Sequence, residues 1–387
     1  MTESSRIRSI ADWMVIVVFV GAIGLPLVGA LFDAPFNKSE NDGRRLADWP
    51  KLCLKGSSLK AFPAAFEKYW NDHFGFRGTL IRWLTAAKVR WLHVSSSANV
   101  LLGQASWLFY VSRPVGADHA MLRPFTEGEL DCWQQVLEHR RDWLARRGCR
   151  YLLFIPPDKQ TIYPEYLDPR CRPKRLVSRL DQLVERLRTR SRIEVVDVRP
   201  QLWAAKQRER LYHVTDSHWN DRGAFLGYQE VTAALTKWFP AVRPLPRSAF
   251  AERAQEQRGG DLAKMISLKE LDHEEWLSLA PLLPRRSRLA SEGVVPPPGV
   301  TLFSPPLATE CDDPRLPRAV MFHDSFVVAM LPFLSEHFRR IAYVWDPDFH
   351  PDVVEREQPE IVLHELVERW LGLVTPHDFQ EESGRDP

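Results

Sequence analysis

From residue 100 onward, short apolar runs alternate with longer stretches of helical periodicity, and this alternation restricts the fold more than any other feature of the chain. The runs are Tyr151–Ile155, Ile193–Val198, Ala319–Phe322, Ile341–Val344 and Ile361–Leu363; the helical stretches are Glu127–Arg147, Lys174–Arg190, Asp221–Trp238 and Phe326–Arg339. Parallel strands need a long crossover, usually a helix, so this order predicts an α/β domain with a mostly parallel sheet flanked by helices. Arginines crowd the first two helices and read as solvated faces. Pro281 to Pro317 holds many prolines and little periodicity, which predicts a long surface connection able to border a substrate groove.

Trp13 to Phe32 form an uncharged apolar run, about long enough to cross a hydrocarbon core of roughly 30 Å. Arg6 and Arg8 precede the run and Asp33 follows it, so the positive-inside rule keeps the N-terminus cytoplasmic and exports the rest. The expected layout is a cytoplasmic N-terminus (1–12), a transmembrane signal anchor (13–32), a tether with a helical extension (33–99) and the main domain (100–387). This describes a single-pass inner-membrane protein whose globule lies in the periplasm. A buried core helix would carry a polar residue on its outer face, and the run has none. Cleavage near Val28-Gly29-Ala30 is the rival reading, although the run exceeds the usual length of a signal-peptide core.

Asn37 to Leu54 is polar and suits a tether. Between Phe62 and Val94, aromatic and aliphatic residues including Phe66, Trp70, Leu84 and Trp91 recur at helical spacing. That pattern predicts packing on the main domain in preference to a sugar-binding stripe. The chain has 52 basic and 50 acidic residues and a formal charge of +2, with no dense basic stripe, which excludes nucleic acid as an expected partner. Cys53, Cys132, Cys149, Cys171 and Cys311 form no C-x-x-C pair, so structural zinc is not expected. An oxidising compartment would permit disulfides, but the odd count leaves at least one thiol free.

Two segments carry reactive side chains: Thr215-Asp216-Ser217-His218-Trp219-Asn220 and Phe322-His323-Asp324-Ser325-Phe326. Ser325 falls between a predicted strand and a predicted helix, where loops line the ligand crevice of an open α/β sheet. Backbone N–H groups there can stabilise the oxyanion formed on attack at an ester carbonyl. A serine nucleophile needs a histidine to take its proton and an acid to orient that histidine. Residues two apart in an extended loop point the same way, so Asp216 can approach His218 Nδ1 while Nε2 faces Ser325. Two other arrangements fit the same residues. Asp216, His218, His323 and Asp324 could gather around a metal ion, or Asp216 could cap a turn beside a buried structural histidine. His213, His350 and His364 have no such context and read as structural or surface residues.

Asp216 to Gly223 (D-S-H-W-N-D-R-G) resembles the D-x-H-W signature of bacterial alginate O-acetyltransferases, and Phe322 to Phe326 resembles their G-D-S-like nucleophile segment. Glu40 to Pro50, Phe66 to Arg77, Gly103 to Tyr110, Pro156 to Lys159 and Gly260 to Leu262 are similar to segments found in the same order in that family. The resemblance implies an SGNH-hydrolase-like fold in which the D-x-H pair precedes the nucleophile, a permuted order. It also implies Ser325 as nucleophile, His218 as base and Asp216 as its partner, with no cofactor and no metal. Lys159, Trp219, Arg222, Asp261 and His323 become candidates to line the substrate cleft, with ion pairing and packing as their alternative roles. Histidine stands before Asp324 where many relatives have glycine, and the anchored members without a carbohydrate-binding module are the closer likeness.

The activity so implied is transfer of acetyl groups onto an exported polysaccharide, alginate or a similar exopolysaccharide. A membrane-bound O-acyltransferase is the expected partner that supplies the acetyl groups. An O-acetylesterase with the same three residues, or a non-catalytic component of an export complex, remains the alternative. Transferase and esterase share an acyl-enzyme and differ in whether a sugar hydroxyl or water resolves it.

Overall fold

The computed structural model describes residues 12–24, 29, 46–51, 56–111, 123–172 and 177–373. Its strands, in chain order, are β1 (Val100–Leu102), β2 (Leu108–Tyr110), β3 (Arg150–Phe154), β4 (Glu194–Val196), β5 (Phe250–Arg258), β6 (His273–Pro281), β7 (Arg288–Leu289), β8 (Leu307–Glu310), β9 (Arg318–Phe322), β10 (Arg340–Val344) and β11 (Ile361–Glu365). Seven of them form one sheet in the order β4-β3-β11-β9-β10-β8-β7. The first five are mutually parallel, and β8 and β7 extend the β10 edge antiparallel. The fold is therefore α/β with a mixed central sheet.

The five parallel strands are legible as apolar runs because helices cover both faces. On β9, Ala319 and Met321 join one core while Val320 and Phe322 join the other, the period-two alternation of a strand. The first core contains Phe225, Tyr228, Val231 and Leu235 of helix Asp221–Thr236. The second contains Leu130, Trp133 and Leu137 of helix Glu127–Arg146 and Leu180, Leu183 and Leu187 of helix Arg179–Arg190. Capping boxes at Thr126/Glu129 and Ser178/Asp181 start these two helices where an N-cap side chain satisfies the first free N–H groups.

Two expectations about this domain need correction. Phe326–Arg339 is not one helix but a chain of short turns, Ser325–Ala329, Leu331–Leu334 and Ser335–His337; Pro332 has no N–H to continue a regular helix. Pro281–Pro317 is not only a loop, since it supplies β7 and β8 to the sheet edge. Residues 250–281 form a long antiparallel hairpin, β5 with β6, whose β5 strand is exposed over most of its length and so has no apolar alternation to read.

The extension forms helices Gly56–His73 and Arg77–Ala87 with a π-helical turn at Lys88–Leu92. Ala86 and Val89 pack against a small core of Val100, Leu108, Leu262 and Ile266. Leu84 and Trp91 instead remain largely exposed among the described residues, so their helical spacing marks no core face. Residues 12–24 are helical with exposed apolar side chains. The rest of the expected anchor, apart from Gly29, lies outside the described residues, and no described helix is long and apolar enough to cross a membrane. Among the described residues Cys149, Cys171 and Cys311 are free thiols, and Cys53 lies outside the described residues.

Candidate active site

Strand β9 ends at Phe322 in the middle of the sheet, and His323-Asp324-Ser325 turns the chain at its carboxyl end. Asp324 shapes that turn. Its Oδ1 accepts from Phe326 N at 2.9 Å, and its Oδ2 accepts from Val367 N at 2.8 Å and Trp370 Nε1 at 2.9 Å. Asp324 N in turn donates to Glu365 Oε2 at 2.8 Å. With the carboxylate committed inward, the turn leaves Ser325 partly accessible, and the Ser325 N–H finds no acceptor among the described residues.

The second segment is a tight loop closed by a Tyr212–Trp219 bridge and by Asn220 N donating to Leu211 O at 2.9 Å. Asn220 then caps helix Asp221–Thr236 by accepting from Arg222 N and Gly223 N. Buried Lys159 holds the loop from below. Its Nζ donates to the carbonyls of His213, Val214 and Asp216 at 3.0, 3.1 and 2.6 Å. Burial lowers the Lys159 pKa to about 7, against the opposing charges of Asp216, Asp261 and Glu274. Glu274 of β6 accepts from Val214 N at 3.0 Å, Thr215 N at 2.6 Å and the Thr215 hydroxyl.

These supports bring Asp216, His218 and Ser325 into one hydrogen-bonded line. His218 Nδ1 lies 2.7 Å from Asp216 Oδ1, and Nε2 lies 2.7 Å from Ser325 Oγ. A carboxylate only accepts, so Nδ1 carries the proton and Nε2 is left to accept from the serine hydroxyl. Asp216 is fixed further by His218 N donating to Oδ1 at 3.0 Å and Asp261 N donating to Oδ2 at 2.9 Å. Burial alone would raise the Asp216 pKa, but the hydrogen bonds and charge of His218 and the Asp261 N–H hold it well below the usual carboxylate range. Burial likewise works against protonation of His218, and the hydrogen bond and charge of Asp216, with Asp261 behind it, raise its pKa.

Of the five cleft candidates, Lys159 and Trp219 are buried. Trp219 Nε1 donates to Phe326 O at 3.0 Å and so ties the histidine loop to the serine turn. Arg222 is paired with Glu252 and Glu209. His323 is buried, its Nδ1 donating to Asp324 O at 2.7 Å. Asp261 alone sits at the line with substantial exposure. It accepts from Ser217 N at 2.7 Å and Ser217 Oγ at 2.6 Å, and its Oδ2 lies 3.7 Å from His218 Nδ1.

The acceptor atoms of Asp216, His218 and Asp261 are close enough to share a cation, but each already has a protein donor or acceptor. The grouping of Asp216 and His218 with His323 and Asp324 does not form, because the last two are committed to the turn. His213 packs on Trp276 beside Glu274, His350 pairs with Asp346, and His364 hydrogen-bonds Tyr151, all structural roles.

Sequence reasoning missed Glu274, Glu365, Glu368 and Arg369. Glu368 Oε2 accepts from Asp158 N at 2.9 Å and Thr161 Oγ1 at 2.6 Å. Arg369 Nε lies 2.8 Å from Asp158 Oδ1. Burial and the charge of Asp158 push Glu368 up to about 7, and burial and Asp324 push Glu365 well above the usual range. The signal available was E-L-V-E-R-W (Glu365 to Trp370), a charged cluster one residue beyond the apolar run Ile361–Leu363.

Residues 100–295 match the family described as SGNH hydrolase-like domain, acetyltransferase AlgX, a span that includes Asp216 and His218 and ends before Ser325. The chain is 28% identical over 263 residues to the "Probable alginate O-acetylase AlgJ" of Pseudomonas aeruginosa, covering 62% of this chain and 61% of that protein. It is 27% identical over 232 residues to the protein of the same description from Azotobacter vinelandii, covering 58% and 54%. The chain thus spans about six tenths or less of the length of these curated relatives. The solved structure of Bacillus cereus PatB1 shares the fold, with a TM-score of 0.53, 15% identity and coverage of 70% of this chain and 96% of that one. With the matched span taking in half of its length, the chain belongs to the SGNH-hydrolase-like AlgX acetyltransferase family.

Proposed function

We propose that the chain is an O-acetyltransferase that carries acetyl groups on Ser325 and delivers them to an exported polysaccharide, alginate or a similar exopolysaccharide. The observation that carries this reading is the line Ser325 Oγ to His218 Nε2 to Asp216, with 2.7 Å at each link. Ser325 Oγ attacks the acetyl carbonyl of the donor as His218 Nε2 takes its proton. The leaving group departs with that proton, and acetyl-Ser325 remains. A sugar hydroxyl then gives its proton to Nε2 and attacks the acetyl carbon; Ser325 leaves and recovers the proton. The Ser325 N–H is available to the oxyanion in both steps.

Asp216 keeps the imidazole in the required tautomer and stabilises the imidazolium. A second reading, hydrolysis of acetyl esters, draws on the exposure of the His218 side chain, 28%, which admits water as acceptor. The apolar run Trp13–Phe32 and its charged flanks support an inner-membrane anchor with the main domain in the periplasm. Acetyl groups would then be supplied across the membrane by a membrane-bound O-acyltransferase. Incubation of the protein with an activated acetyl ester and an alginate oligosaccharide tests the reading. Acetylated oligosaccharide is expected, and release of free acetate at a rate unaffected by the oligosaccharide would favour the esterase.

A further inference from the structure

Among the described residues of the site region, Arg369 is a cation whose hydrogen-bonding capacity is not used up by the fold. Its side chain is 15% exposed, and its ion pair among the described residues is with Asp158, itself 3% exposed. No described residue accepts a hydrogen bond from its terminal nitrogens. Lys159, by contrast, spends all three donors on carbonyls. The Arg369 guanidinium lies near two rings, with Cζ 5.0 Å from the Tyr110 centroid and 5.2 Å from that of Phe326. Phe326 follows the nucleophile candidate in sequence, and its ring lies 5.0 Å from the His218 ring. The positive charge is therefore held one aromatic ring away from the reacting atoms. Of the carboxyl groups around it, Asp158 is its partner, Asp261 accepts from Ser217, and Asp324 accepts from three N–H groups.

We infer that Arg369 is the anion-recognising residue of the acceptor site, and that the terminal nitrogens of its guanidinium take a carboxylate on the sugar polymer beside the hydroxyl to be acetylated. The inference rests on the proposed transfer reading and narrows the acceptor to a uronic-acid-bearing chain. A guanidinium ion-paired through Nε, with no described acceptor for its terminal nitrogens, is suited to a carboxylate, which it can bind in a forked pair. The two rings add a cation–π attraction that favours this placement of the charge.

Titration of the full chain with an alginate hexasaccharide and with the same hexasaccharide after reduction of its carboxyl groups to alcohols tests this. The wild type is expected to bind the acidic sugar at least about tenfold more tightly. Arg369→Gln should bring both sugars to the weaker affinity, and Arg369→Lys should restore part of the preference. Equal affinities in the wild type overturn the inference without any variant. So does an Arg369→Gln protein in which both affinities fall by the same factor or the preference persists in full. A wild type that shows the Arg369-dependent preference yet transfers no acetyl group would sink the transferase reading and leave this one standing. Transfer to both sugars with equal KM would do the reverse.

Discussion

Gly260 leaves no room for a side chain because Asp216 occupies the space: a Cβ built at position 260 stands 2.4 Å from Asp216 Cβ and 2.6 Å from Asp216 Oδ2. Both contacts are shorter than real Cβ atoms tolerate, and the neighbour is held by a hydrogen bond from Asp261 N. Gly260→Ala must therefore displace the carboxylate that orients His218. The expected result is a folded protein whose kcat on an acetyl ester falls at least about tenfold, while circular dichroism is unchanged. Wild-type kcat in this variant would show that the placement of Asp216 does not matter.

Asp216→Asn should keep the fold but lower kcat by about three to four orders of magnitude, since an amide favours the wrong tautomer of His218. The pH profile gives an independent reading. His218 acts as a base only when neutral, and its pKa is raised above the ordinary 6.5, so the acid limb of kcat/KM should lie above that value. Removing the Asp216 charge and hydrogen bond lowers the pKa, and the residual activity of Asp216→Asn should show its limb at lower pH. A limb that stays in place would remove Asp216 from this role.

Lys159→Met should destabilise the protein without touching the reacting atoms. Three carbonyls, those of His213, Val214 and Asp216, lose their shared donor beneath the loop. The cost is about 2–4 kcal/mol for buried acceptors left unpaired, read as a lower urea midpoint. An unchanged midpoint would mean that the loop holds its shape without the lysine.

The strands that position the site were readable because β3, β9, β10 and β11 are buried on both faces and so appear as apolar runs. The hairpin of β5 and β6 was not, since β5 exposes most of its residues and its Glu and Arg follow no alternation. Helical spacing over residues 326–339 was misleading because Pro332 breaks the hydrogen-bond ladder into short turns. Asp216, His218 and Ser325 could be named because the chemistry restricts the residue types. Their supports could not. Nothing local distinguishes Lys159 or Glu274 from a surface charge, and each becomes a loop clamp only when residues tens of positions away fold onto it. Trp219 shows the same limit, since its tie to Phe326 spans 107 residues.

Whether Ser325 carries the acetyl group can be read by mass spectrometry of the protein quenched during turnover of an activated acetyl ester. One added acetyl group is expected, mapped to the peptide containing Ser325 and discharged when an acceptor sugar is added. It should be absent from Ser325→Ala, in which loss of one partly accessible hydroxyl leaves the fold intact. Acetyl transfer by Ser325→Ala at the wild-type rate, or an adduct mapped to another residue, would contradict this role of Ser325.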